Sequence, residues 1–164
     1  MKKEIRELVF ETNSSSMHSL SIKGNYDGNV IGVLPNTVEC FLGEYGWGYD
    51  RLLYVYDKLC YAMAMVLHTE YPDFDYWDED FVIDENVLQE LEGFKLIKNT
   101  IESKGCKELK VGIKENSYYK YGYIDHQSYE DYSSLKDFLD DWNITLDRFL
   151  FDDGVSVIID NDNH

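Results

Sequence analysis

From Asp50 to Pro72 apolar residues recur at helical spacing and extend to more than one side of the helix, and no other segment constrains the fold as much. Leu52, Leu53, Tyr56, Leu59, Cys60, Met63, Val66 and Leu67 recur at helical spacing, and Ala62 and Ala64 carry the apolar surface beyond one stripe. A helix with apolar content on more than one side is expected to be well buried. The segment predicts a buried helix over about 51–69, capped by Asp50 and ended at Pro72. Its run Ala62–Leu67 falls far short of the roughly 20 apolar residues that a membrane span needs.

What wraps this helix reads as mixed structure. A second helix is expected over about 85–104, begun by Asp84, striped by Val87, Leu88, Leu91, Phe94, Ile97 and Ile101, and ended by Gly105. Ser133 or Ser134 caps a shorter helix with Leu135, Phe138, Leu139 and Trp142, and Thr145 caps a brief turn. Strands are expected at Glu4–Phe10, His18–Lys23, Val30–Leu34, Thr37–Leu42 and Val155–Ile159. Glu108–Lys114 and Tyr119–Asp125 both alternate and are expected to pair as a hairpin. Helices and strands do not alternate regularly. The fold class is therefore α+β: a mainly antiparallel sheet of about six to seven strands with two long helices and one or two short ones. With 164 residues and neither repeat nor long linker, residues 1–164 are expected to form a single domain.

Charge narrows the partners. The chain holds 32 acids against 15 bases, a net charge of −17. Nucleic acid and anionic membrane both require cations on the protein, so neither is an expected partner. The field favours cationic partners, a basic protein groove or metal ions, or it serves solubility alone. Residues 70–92 carry ten acids and no base, whereas 93–124 reverse the sign with seven lysines. Three widely spaced cysteines, Cys40, Cys60 and Cys106, suit neither a disulfide framework nor a zinc site. No secretory signal pattern opens the sequence, and a reducing, cytoplasmic setting is expected. No cofactor signature is present, and none is expected.

Several clusters could carry chemistry. Glu11, three serines and His18 lie within eight residues and offer a carboxylate, hydroxyls and an imidazole general base. No glycine elbow surrounds the serines, and a polar strand connection is the plainer reading. Asp125 and His126 end a strand, pointing to opposite faces if it continues, and either can meet His18 or Glu11 from another element. Glu44 and Trp47 lie on a glycine-rich loop able to gate a ligand, or to anchor the core. Asp160 and Asp162 alternate like hard-cation ligands, but the chain ends before a calcium loop is complete, and no metal site is assigned. Finally, Asp73, Asp75, Trp77, Asp78, Glu79 and Asp80 interleave carboxylates with large rings, the composition of an interface with aromatic anchors and a charged rim. The plainer reading there is a solvated loop whose rings fold onto the core.

Four stretches carry a family likeness: Phe10–Leu20 (FETNSSSMHSL), Gly43–Gly48 (GEYGWG), Tyr123–Ser128 (YIDHQS), and Phe149–Phe151 with Ile158–Asn163 (IIDNDN). Together they resemble a family of small uncharacterised proteins encoded by phages and related mobile elements. The resemblance leaves residues 53–120 largely uncovered and implies phage origin more than mechanism. Two functions of different class follow as expectations. The first is a phage-encoded acidic protein that blocks a basic groove of a host defence or nucleic-acid-processing protein, such as a nuclease or a CRISPR effector. The alternative is a small enzyme acting on a nucleotide or phosphate-bearing substrate through His18 and His126, with Glu11, Glu44 and Asp125 nearby. Convergence of His18, Glu44, Asp125 and His126 in one concave pocket favours the enzyme. An exposed acidic face over 70–85 favours the inhibitor.

Overall fold

The apolar segment becomes the central helix, Val55–Glu70, and ten consecutive residues, Lys58–Leu67, are buried around its whole circumference. The computed structural model describes residues 16–26, 28, 34–46 and 48–161. Along the chain the elements are β1 (Ser16–Ile22), β2 (Thr37–Cys40), β3 (Glu44–Tyr45), β4 (Asp50–Leu52), α1 (Val55–Glu70), α2 (Glu85–Glu90) and α3 (Glu92–Glu102). They continue with β5 (Glu108–Val111), β6 (Tyr123–Ile124), α4 (His126–Tyr129), α5 (Leu135–Asp141), α6 (Leu146–Phe151) and β7 (Val155–Asn161). Helices α3, α4, α5 and α6 and strands β2 and β6 all pack on α1.

The fold is α+β, but the strands among the described residues form three small sheets rather than one of six or seven strands. Only the sheet β1-β7-β4 is antiparallel, with His18 and Asp50 both opposite Ile159. The pairs β2·β5 and β3·β6 run parallel. A parallel pair needs a long crossover, and here α1, α2 and α3 supply it. The expected hairpin between β5 and β6 does not form. Gly112 N–H donates to the Cys40 carbonyl and Tyr123 N–H to the Gly43 carbonyl, so both strands follow residues 37–45 instead. Between them residues 113–122 leave the ladder as an excursion. Gly122 brings the chain back at φ +75°, where a Cβ would lie 2.4 Å from the Leu42 Cβ. That turn also cuts the expected Tyr119–Asp125 strand to two residues.

The helices depart from expectation at their starts. Asp50–Leu52 pair with β7 instead of opening α1, which begins after an extended Tyr54 with no side-chain cap. The second expected long helix is broken at Leu91, whose φ of −70° and ψ of 130° are extended. The break seats Gly93 N–H on the Glu70 carboxylate at 2.8 Å. The other oxygen of Glu70 accepts from Leu135 N–H at 3.1 Å, so the end of α1 caps both α3 and α5. A Cβ on Gly93 would come within 2.2 Å of that carboxylate and 2.6 Å of Val66. The caps at Asp84, Ser134 and Thr145 form as the sequence indicates. The expected strand at Glu4–Phe10 and most of Val30–Leu34 lie outside the described residues. No helix among the described residues is long and apolar enough to cross a membrane.

Candidate functional site

The acidic-aromatic stretch is an exposed, self-braced loop. After Pro72 the chain turns through Asp73 at φ 54°. Asp75 Oδ1 accepts from the N–H groups of Trp77 and Asp78, and Asp78 Oδ1 from that of Asp80. These Asx turns hold the backbone with one oxygen of each carboxylate. Asp73, Asp75, Trp77, Asp78, Glu79 and Asp80 are all exposed. Phe74, Tyr76 and Phe81 turn inward, with Phe74 edge-on to Phe81 at 5.5 Å. Phe74 and Phe81 thus fold onto the core and Tyr76 onto His68 and Tyr123, as the plainer reading has it, while the acids face outward with Trp77.

The 113–122 excursion packs against this loop. Lys120 Nζ donates to the Glu79 carbonyl at 2.7 Å and lies over the Tyr121 ring. Trp77 touches Tyr118 and Tyr119, with ring centroids 6.0 and 5.4 Å away. Trp77 and Tyr118 remain 58% and 73% exposed. Tyr119 stacks on Tyr123 at 5.0 Å, carrying the aromatic array inward to Tyr76 and His68. Sequence reasoning missed Tyr118 as part of this surface, because residues 113–122 leave the ladder and strand alternation does not govern them.

His68 is a second residue that sequence reasoning passed over. Its Nδ1 donates to the Ala64 carbonyl at 2.9 Å, and its buried Nε2 has no partner among the described residues. Phe74, Tyr76 and Tyr129 pack around the ring. Burial lowers its pKa from 6.5 to about 4, against the effect of the Ala64 bond, so the imidazole is neutral at physiological pH. Lys58 is likewise buried, donating to the carbonyls of Asp152 and Val155 at 2.9 and 3.0 Å. Burial pulls it down to about 8, opposed by Asp152 and Asp153.

Of the residues named for catalysis, His18 and Asp125 share one buried neighbourhood and Glu44 faces away from it. His18 is 1% exposed, in the inward row of β1 with Leu20, and its Nδ1 lies 2.8 Å from the Tyr61 hydroxyl. Burial raises the Tyr61 pKa. Tyr45 meets Tyr61 edge-on at 5.2 Å and gives its carbonyl to Asp125 N–H, so buried Asp125 shares this neighbourhood. The Tyr123 hydroxyl donates to Asp125 at 3.4 Å. Glu44, next to Tyr45 on a strand, is exposed on the opposite side, toward Tyr119. His126 begins the short helix α4, which packs on β1. Glu11, Trp47 and Asp162 lie outside the described residues. The surface grooves beside 113–120, beside β5 and beside β2 are lined by none of His18, Glu44 or Asp125.

Elsewhere the chemistry is quieter. Most lysines of the basic segment find carboxylates or carbonyls: Lys95 with Glu90, Lys104 with Asp147, Lys110 with Glu108 and Lys120 with Glu79. Cys40, Cys60 and Cys106 are buried free thiols. Among the described residues no group of three or more His, Cys, Asp or Glu is placed to hold a metal ion. Comparison with known proteins finds no family model, no curated protein and no solved structure that matches this chain.

Proposed function

We propose that this chain is a phage-encoded acidic interaction protein that docks into a basic groove of a host defence or nucleic-acid-processing protein, such as a nuclease or a CRISPR effector, and blocks it. The observation that carries the reading is the 73–80 loop. Its five carboxylates are exposed beside the exposed rings of Trp77 and Tyr118, and Asx turns brace its backbone. Side chains held this way lose less conformational freedom on docking than a floppy acidic tail would. The net charge of −17 adds long-range attraction toward a cationic groove. Phage origin rests on the sequence resemblance, and with it action in the host cytoplasm. The enzyme alternative runs through His18 and His126; His18 is buried against Tyr61, and the His126 side chain lies outside the described residues.

The test is salt. Attraction between exposed charges is screened beyond about 8 Å at physiological ionic strength. The association rate with the basic partner is expected to fall at least tenfold between low salt and about 0.3 M, with a much smaller change in the dissociation rate. Association that ignores salt contradicts docking by charge.

A further inference from the structure

Trp77, Tyr118 and Tyr119 meet as three walls of a corner. Their interplanar angles are 87° for Trp77 with Tyr118, 72° for Trp77 with Tyr119 and 86° for Tyr118 with Tyr119. Two of the walls are largely exposed, at 58% and 73%. Large exposed rings on a loop this polar are not needed to close the core, since Phe74 and Phe81 already do so. Tyr118 is the one ring of the corner that also lines a groove of about 280 Å³ between the acidic loop and the 113–120 excursion, together with Asp78, Glu79 and Glu115. Ring faces attract cations within about 6 Å of the centroid. A carboxylate beside such a face suits a guanidinium, which is planar, stacks flat and donates two parallel N–H groups. A compact ammonium uses only the charge.

The geometry points to an arginine site: the Trp77–Tyr118–Tyr119 corner receives the guanidinium of an arginine side chain from the basic partner, and a carboxylate of Asp78, Glu79 or Glu115 pairs with it. This rests on the proposed docking role of the loop and specifies the chemistry that the loop reads. Charge complementarity selects the occupant. The groove's three carboxylates share its lining with Lys114 and Lys120, and Lys120 is already held by the Glu79 carbonyl. Lys114 opposes an entering cation, so its removal is expected to tighten the site.

The probe is N-acetyl-arginine amide, added to the full chain at constant ionic strength and followed through the Trp77 indole N–H resonance. N-acetyl-lysine amide, N-acetyl-citrulline amide and tetramethylammonium are the comparisons. A saturable millimolar response to the arginine probe is expected, at least tenfold weaker with lysine and with neutral citrulline. Trp77→Leu is expected to weaken binding at least tenfold, read at the Tyr118 ring. Tyr118→Leu should do the same, read at the indole, and Lys114→Gln should strengthen it. Both leucine variants replace exposed rings and are checked by melting. Equal responses to all three cations, a preference for tetramethylammonium, or no response at Trp77 overturns the arginine site. A missing arginine response together with salt-sensitive docking through residues 73–80 removes this inference alone. An arginine response with no basic protein partner removes the docking role and leaves the site standing.

Discussion

His68 shows what burial does to a titratable side chain whose outer nitrogen meets only rings. Its folded pKa of about 4 lies below the unfolded value near 6.5. Between those values the unfolded chain takes up a proton that the native state refuses. The stability contributed by the neutral ring is therefore fully present above about pH 6.5 and is lost as pH falls toward 4, by about 2–3 kcal/mol at pH 4.5. Urea unfolding at pH 7 and pH 4.5 measures that loss, and His68→Leu is expected to remove most of it; an unchanged acid loss in the variant contradicts the assignment. His18 is the opposite case, a buried imidazole answered by Tyr61. The alternation of His18, Leu20 and Ile22 placed it on a strand. Its partner, 43 residues away on α1, could not be read from local pattern. His68 escaped notice because it continues a helix whose spacing already explained every neighbour.

Elements were legible where local chemistry decides and lost where pairing decides. Asp84, Ser134 and Thr145 cap as their sequences indicate because an Asx or hydroxyl cap needs only the next three residues. Asp50 has the same chemistry but lies in β4, because the edge of β7 offers Asp50–Leu52 a ladder worth more than an early helix turn. The 108–125 hairpin failed for the same reason: residues 37–45 compete for both strands, and Gly122 turns the chain toward them. The break at Leu91 depends on Glu70, which no periodicity reveals. Glu70→Ala is expected to cost about 1–3 kcal/mol, since it removes two cap acceptors at once. Gly93→Ala is expected to cost about 1–2 kcal/mol despite the better helix propensity of alanine, because its Cβ meets the Glu70 carboxylate and Val66. The two residues share one contact, so the double variant should lose less than the sum of the single losses in denaturant titrations. Strict additivity would show that Glu70 does not cap α3.

At the scale of the whole molecule, the sequence's charge asymmetry reappears in part. The acids of 73–80 are exposed together, whereas the lysines of 93–124 are largely engaged with carboxylates and carbonyls. The acidic half of the candidate surface was legible because a run of carboxylates has few places to go but water. The aromatic half was not, because Tyr118 and Tyr119 reach Trp77 only through an excursion that leaves the ladder. The central claim is that this loop is the docking surface. It is tested most directly by changing Asp73, Asp75, Asp78 and Asp80 to Asn and Glu79 to Gln together. Asn keeps the oxygens that accept from Trp77, Asp78 and Asp80, so the loop should hold its shape and the melting behaviour should move little, by about 0.5 kcal/mol or less per site. Affinity purification of both forms from host lysate at low salt, with the retained proteins identified and the dissociation constant of the basic one measured, reads the outcome. The account predicts a basic protein bound by the wild type and at least tenfold weaker on the folded five-site variant. Equal binding by both forms would contradict it.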